Sequence, residues 1–128
     1  MDIWEIAECV GRVGLLLVFV LYGLRHFANL GPLAGYAQSK KVPAARAMVA
    51  LTGAMMLVGS VMVLLRWHAI WGCALLVLFV VVVAVVMHDF WRESDPMARG
   101  NQEAHFWKNL ALAAGATLYA VGIHRGAW

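Results

Sequence analysis

Two short segments of the chain, residues 88–91 (HDFW) and 105–109 (HFWKN), combine polar groups with aromatic rings. Imidazole, ammonium and amide groups are the side chains that donate to or accept from the oxygens of a ligand. Aromatic rings beside them can enclose a flat ligand. Another His ends an earlier apolar run, in YGLRHF. The candidate ligand-binding residues are His26, His88, His105, Lys108, Asn109, Trp91 and Trp107.

Three interpretations of this set remain open. It forms an interhelical hydrogen-bond network, or a pocket for a quinone or a lipid-like head group, or a metal or b-haem site using two of the three His. The third has the least support, because these His do not share a ligand-type spacing on one helix. No nucleophile and base pair is evident, so no catalytic residue is assigned. The two aromatic pairs also suit a belt at the membrane interface.

Lys108 is expected to have a negatively charged partner. It lies near the start of an apolar helix, where the helix dipole opposes a cation. Asp89, Glu103 or an anionic ligand are the candidates. Between the two polar segments, residues 92–100 (RESDPMARG) are expected to form a solvated loop broken by Pro96 and Gly100.

The strongly hydrophobic composition of the chain indicates which elements position these residues. Of 128 residues, 63% are hydrophobic and 13% charged, against about 25% charged in soluble domains. The net charge of +3 is spread over few charged residues without a basic stripe, which argues against nucleic acid as a partner. The lipid bilayer is the expected partner, together with a protein subunit or a second copy of the chain.

Four apolar segments are long enough to cross a bilayer core of about 30 Å as helices. They cover about residues 9–27, 44–65, 69–87 and 106–123. With short links, they predict an all-α fold: a single domain over residues 1–128 that is an integral membrane antiparallel four-helix bundle. Small residues, including Gly11, Gly14, Gly53 and Gly59, are expected to mark helix-packing faces.

Basic residues predict the orientation of the chain. The first and third links and their flanks hold seven Lys or Arg, and the termini with the second link hold three. The positive-inside rule then places links one and three in the cytoplasm. Arg12, early in the first span, is the buried polar candidate, and Glu8 four residues earlier is well placed to pair with it.

The chain resembles the DoxX family of small four-helix membrane proteins. The resemblance rests on Arg12 early in span one, YGLRHF at its end, GYAQSKKVP before span two, Gly59, HDFW and QEAHFWKNLALAAG. It implies a bacterial inner-membrane protein, since some relatives are subunits of a thiosulfate:quinone oxidoreductase. The expected function is a small subunit that anchors a redox complex and contacts quinone. The alternatives are a non-catalytic assembly subunit and a small transporter that works as an oligomer, and whether the protein is an enzyme stays open.

Overall fold

The computed structural model describes residues 1–127, and this part of the chain is helical without strands. Five α-helices and one 3-10 turn account for the described elements. They are α1 (Ile3–Ala28), α2 (Leu30–Ser39), α3 (Ala45–Leu64), α4 (Ala69–Met87), the 3-10 turn Phe90–Arg92 and α5 (Pro96–His124). The all-α prediction is confirmed, and the first link contains a helix of its own.

Three helical segments are long and apolar enough to cross a membrane: Ile3–Ala28, Ala45–Leu64 and Ala69–Arg92. The protein is therefore a membrane protein with three such spans among the described residues. Helix α5, which contains the predicted fourth span, is not one of the three. Its first turns carry polar residues that lower its mean hydropathy, although it has 29 residues.

Helix α1 begins earlier than the hydrophobic run suggests. Asp2 caps the helix, since its carboxylate accepts hydrogen bonds from Trp4 N and Glu5 N. The Glu5 side chain accepts from the backbone N–H of Asp2 in return, which completes a capping box. The first helix therefore starts six residues before the predicted span boundary, at Ile3 instead of Cys9.

The predicted loop over residues 92–100 is largely wrong. Helix α5 begins at Pro96, and Gly100 lies inside it. Proline fits the first position of a helix because its missing N–H has no partner there anyway. Asp95 caps the same end by accepting from Ala98 N at 2.8 Å. The irregular part of the third link is thus short and ends at Asp95.

Helix α1 packs against α3, α3 against α4, and α4 against α5, while α2 packs on α3. Two of the predicted packing glycines lie at such contacts. A Cβ on Gly53 would be 2.8 Å from His26 Cβ, and one on Gly59 would be 3.0 Å from the Gly72 carbonyl oxygen. Gly11 and Gly14 were wrongly assigned to a packing face, because a Cβ there would meet nothing within 4 Å.

The main core lies between α1, α3, α4 and α5. Its largest fully buried side chains include Phe19, Met56 and Leu76. A smaller cluster of Ala34, Ala37, Ala45 and Val49 seats α2 against the start of α3. This second cluster holds the first link over the end of the bundle where the third link also lies.

Candidate functional site

A cavity of about 510 Å³ lies at that end of the bundle and receives side chains from all five helices. Its walls are mainly apolar, with Phe19, Met56, Phe79 and Leu112 among them. Its polar side chains come from segments that are far apart in the sequence. These side chains are Tyr22, His26, Tyr36, Lys40, Lys41, Thr52, His88, His105, Lys108 and Asn109. Five of the seven predicted ligand-binding residues therefore share one cavity.

His88 is held by a chain of hydrogen bonds along the polar end of the cavity. Its Nδ1 lies 2.7 Å from Oε1 of Gln102. The Gln102 amide nitrogen donates to the Tyr36 hydroxyl at 3.0 Å, and that hydroxyl donates to the Met87 carbonyl oxygen at 2.9 Å. The chain connects α2, α4 and α5, so it fixes the ring of His88 in one orientation.

His105 and Lys108 form the opposite side of the polar end. The rings of His88 and His105 stack with centroids 5.1 Å apart. Lys108 Nζ lies 3.4 Å from His105 Nδ1 and 5.5 Å from the centroid of the Tyr22 ring. Among residues 1–127, no carboxylate lies within 4.0 Å of Lys108. The predicted pairing of Lys108 with Asp89 or Glu103 is therefore wrong.

Asp89 pairs with a different cation. Its Oδ1 accepts a hydrogen bond from Lys40 Nζ at 2.5 Å, and Arg92 Nε lies 3.8 Å from its other oxygen. Asp89 is 6% exposed, so this pair is almost entirely removed from solvent. The hydrogen bond to the Asp89 carboxylate raises the pKa of Lys40 above its ordinary value. The pair fastens the end of α2 to the end of α4.

Asn109 is the most buried polar group in the cavity wall, with 6% of its surface exposed. Within the described chain its side-chain amide has no hydrogen-bond partner. A buried amide normally finds one, because leaving it without a partner costs about 1–3 kcal/mol. The cavity thus contains an amide able to donate to and accept from a ligand.

His26 lies on α1, and its Nδ1 is 2.7 Å from the carbonyl oxygen of Tyr22, one turn earlier. Its ring also makes an edge contact with Phe79, at 5.9 Å between centroids. This places His26 at the junction of the polar end and the apolar walls. A ligand that reaches His26 is therefore in contact with both.

Trp91 and Trp107 do not line this cavity. They are 48% and 56% exposed and belong to a cluster of edge-to-face rings with Phe90 and Phe106. The expectation that they enclose a ligand in the same pocket is wrong. Trp91 lies in the 3-10 turn and Trp107 in α5, and both side chains face outward.

A second polar cluster lies at the other end of the bundle, around Glu8. Arg12 Nε is 3.3 Å and Arg66 Nη2 is 2.9 Å from its carboxylate, and the Tyr119 hydroxyl donates to it at 2.7 Å. Arg12 also donates to the Leu64 carbonyl oxygen at 3.2 Å. The expected pairing of Glu8 with Arg12 is present, and the side chain of Arg12 is 14% exposed. Sequence reasoning missed the two further partners.

Residues in the cavity wall and just behind it, which sequence reasoning did not assign to the site, support its polar end. Gln102 and Tyr36 hold His88, and Lys40 holds Asp89. The only signal for Lys40 was the pair of lysines in the first link, and Gln102 lies between the predicted loop and the predicted fourth span, where no role was assigned to it. In residues 1–127, no group of three or more His, Cys, Asp or Glu is arranged to hold a metal ion.

The family to which this architecture belongs is identified by comparison with known proteins. The family model described as DoxX matches residues 7–89. The chain belongs to the DoxX family, which confirms the resemblance noted from the sequence. No curated protein and no solved structure matches the chain significantly. The match ends before α5, so His105, Lys108 and Asn109 lie outside the matched segment.

Proposed function

We propose that this protein is a small subunit of a bacterial inner-membrane redox complex, and that its cavity contacts a quinone. The observation that carries the proposal is the cavity of about 510 Å³, apolar along most of its wall and polar at one end. A quinone needs this division, because its ring and tail are apolar and its oxygens accept hydrogen bonds. Lys108, His105 and the unpartnered amide of Asn109 supply donors at the polar end.

The proposal includes an antiparallel bundle of four spanning helices, with α5 as the fourth. With 29 residues at about 1.5 Å each, α5 is about 43 Å long and exceeds a hydrocarbon core of about 30 Å. Its apolar second half suits the bilayer, and its first turns then project beyond it. On the positive-inside rule, that projecting end and links one and three face the cytoplasm.

The anchoring role rests on this projecting end. Met97 is 79% exposed, and Arg99 and Glu103 are exposed on the same first turns of α5. An apolar side chain among charges outside the bilayer suits contact with a protein partner. A partner recovered in mild detergent with the wild-type chain, and lost with Met97→Ser, supports the anchoring role.

The amount of quinone that co-purifies with the protein tests whether the cavity binds quinone. The full chain is isolated from its native membranes in mild detergent, and the bound quinone is extracted and quantified per protein. Asn109→Leu keeps the shape of the side chain and removes the amide. Loss of the hydrogen bond is expected to lower bound quinone about fivefold, while the protein still elutes as a folded species.

His124→Ala is the matched control, because His124 lies at the end of α5 that is remote from the cavity. It is expected to retain the wild-type amount of quinone. A wild-type protein that never retains quinone, with or without added quinone, argues against the cavity as a quinone site. A partner that still co-purifies in that case favours the alternative, a non-catalytic assembly subunit.

A further inference from the structure

The direction of each hydrogen bond at the polar end can be assigned from groups that only donate or only accept. The Met87 carbonyl oxygen only accepts, so the Tyr36 hydroxyl donates to it. The Tyr36 oxygen therefore accepts from the amide nitrogen of Gln102. This turns the amide oxygen of Gln102 toward His88 Nδ1, which must carry the proton. In the neutral ring, Nε2 of His88 is then an acceptor.

His26 is assigned by the same rule. Its Nδ1 lies 2.7 Å from the carbonyl oxygen of Tyr22, which only accepts. Nδ1 of His26 is thus the protonated nitrogen. The neutral ring of His26, like that of His88, therefore has an unprotonated Nε2. Both rings line the cavity.

His105 has the opposite tautomer. The ammonium of Lys108 only donates, so Nδ1 of His105 accepts from it. The neutral ring of His105 then carries its proton on Nε2. The polar end therefore offers donors from His105, Lys108 and Asn109, and two ring acceptors from His26 and His88. A ligand that satisfies both kinds must itself donate and accept.

We infer that the cavity prefers the hydroquinone to the quinone, a conclusion that rests on the proposed quinone-binding function. Each hydroxyl of a hydroquinone donates one hydrogen bond and still accepts another. A quinone oxygen only accepts, so it leaves the Nε2 lone pairs of His26 and His88 without a donor. A ligand that covers these acceptors without giving them a donor binds more weakly, and a change of tautomer at His88 would break its hydrogen bond to Gln102.

The experiment compares the two oxidation states of one probe on the full chain in lipid nanodiscs. Decylubiquinone, and decylubiquinol prepared and kept under anaerobic conditions, are each titrated, and the retained ligand is quantified after gel filtration. The hydroquinone is expected to bind about tenfold more tightly, the order of size of one to two hydrogen bonds. The dimethyl ether of the hydroquinone, which cannot donate, is expected to lose this advantage.

Gln102→Leu and Gln102→Glu test whether Gln102 positions His88. The leucine removes the acceptor that holds the proton on Nδ1, so the ratio of the two dissociation constants is expected to fall toward one. The glutamate keeps an acceptor oxygen, but its charge favours the imidazolium form of His88, whose Nε2 donates, so the preference is expected to shift toward the quinone. Gln38→Leu on exposed α2 is the matched control and should behave as wild type. A purely structural role would weaken both oxidation states equally.

The outcomes separate this inference from the function on which it rests. Equal binding of the two oxidation states overturns the inference and leaves the quinone site standing. Tighter binding of the quinone, or of the dimethyl ether, also overturns it. Binding of neither form overturns both. If Gln102→Leu does not fold, the wild-type ratio and the glutamate variant still decide the question.

Discussion

At the residue scale, Lys40 and Asp89 are the clearest case of two interacting side chains whose pairing is not evident from the sequence, because they are far apart in it. They are 49 positions apart, yet Lys40 Nζ donates to the Asp89 carboxylate at 2.5 Å. Asp89 is buried, so it depends on this cation more than a surface carboxylate would. The pair also fixes the first link against the end of α4, next to His88.

We predict that the Lys40–Asp89 pair makes stability sensitive to alkaline pH. The pKa of Lys40 is raised in the folded protein, so its contribution is complete below the ordinary lysine value of about 10.4. The contribution is lost as the pH rises through the higher folded pKa, where Lys40 loses its proton. Thermal unfolding in detergent between about pH 9 and 12 measures this loss.

Lys40→Met is expected to remove that part of the pH dependence and to lower stability by about 1–3 kcal/mol at neutral pH. Lys41→Met is the matched control, because in the described residues Lys41 has no carboxylate within 4.0 Å. An unchanged alkaline profile in Lys40→Met would show that the pair does not contribute.

Residue types predicted which groups would gather at this end, but not how they pair. His26, His88, His105, Lys108 and Asn109 share the cavity because the end of α1, the end of α4 and the first half of α5 lie side by side. The partner of Asp89 depended on where α2 folds back, which no periodicity in the first link specifies. The prediction that Trp91 and Trp107 line the pocket was wrong for another reason. A shift of one position along a helix turns a side chain from the interior to the outside.

At the element scale, α3 and α4 approach each other through glycines. A Cβ on Gly72 would be 2.8 Å from the carbonyl oxygen of Gly59, and a Cβ on Gly59 would be 3.0 Å from that of Gly72. Both obstacles are backbone atoms, which cannot rotate away as a side chain can. Close contact of this kind is what associates helices in lipid, where burial of apolar surface gains little.

Gly72→Ala is therefore expected to push α3 and α4 apart and to destabilise the protein by about 1–3 kcal/mol. Thermal or denaturant unfolding in detergent measures the change. Gly14→Ala on α1 is the control, because a Cβ there meets nothing within 4 Å. Alanine favours a helix over glycine, so Gly14→Ala should be neutral or stabilising by up to about 1 kcal/mol. Equal destabilisation by both substitutions would contradict the close-approach explanation.

Hydropathy predicted the centres of the helices well and their ends poorly. The run of apolar residues locates α3 and α4 almost to the residue, because their ends coincide with the ends of the run. Helices α1 and α5 extend into polar sequence, where Asp2 and Asp95 cap them. Pro96 and Gly100 suggest a loop by composition, but Pro96 stands at the first position of α5, where proline is tolerated, and Gly100 lies inside the helix.

At the scale of the whole molecule, the Glu8 cluster ties together parts of the chain that are otherwise weakly connected. Helices α1 and α5 make few contacts with each other. The Tyr119 hydroxyl crosses between them to the Glu8 carboxylate at 2.7 Å, while Arg66 reaches Glu8 from the link between α3 and α4. Ion pairs therefore lie at both ends of the helices, around Glu8 at one and between Lys40 and Asp89 at the other, where the cavity lies.

Tyr119→Phe is expected to lower stability by about 1–3 kcal/mol, because a buried carboxylate loses a donor. In a double-mutant cycle with Glu8→Leu, which removes the acceptor, the two changes should not be additive, since both remove the same contact. Tyr22→Phe is the matched control: its ring can still face Lys108, and its hydroxyl has no hydrogen-bond partner in the part of the chain that the structure describes. Additive effects in the cycle would mean that the Tyr119 hydroxyl contributes elsewhere.

The hydrogen-bond chain behind His88 also limits where protons can travel. From His88 the chain passes through the amide of Gln102 and the Tyr36 hydroxyl and ends at the Met87 carbonyl oxygen. An amide that accepts with its oxygen and donates with its nitrogen does not pass a proton onward, and a backbone carbonyl has none to give. This series of hydrogen bonds therefore fixes the orientation of His88 and does not conduct protons. The side lined by His105 and Lys108 is exposed to solvent and is a route by which protons can exchange between the cavity and water.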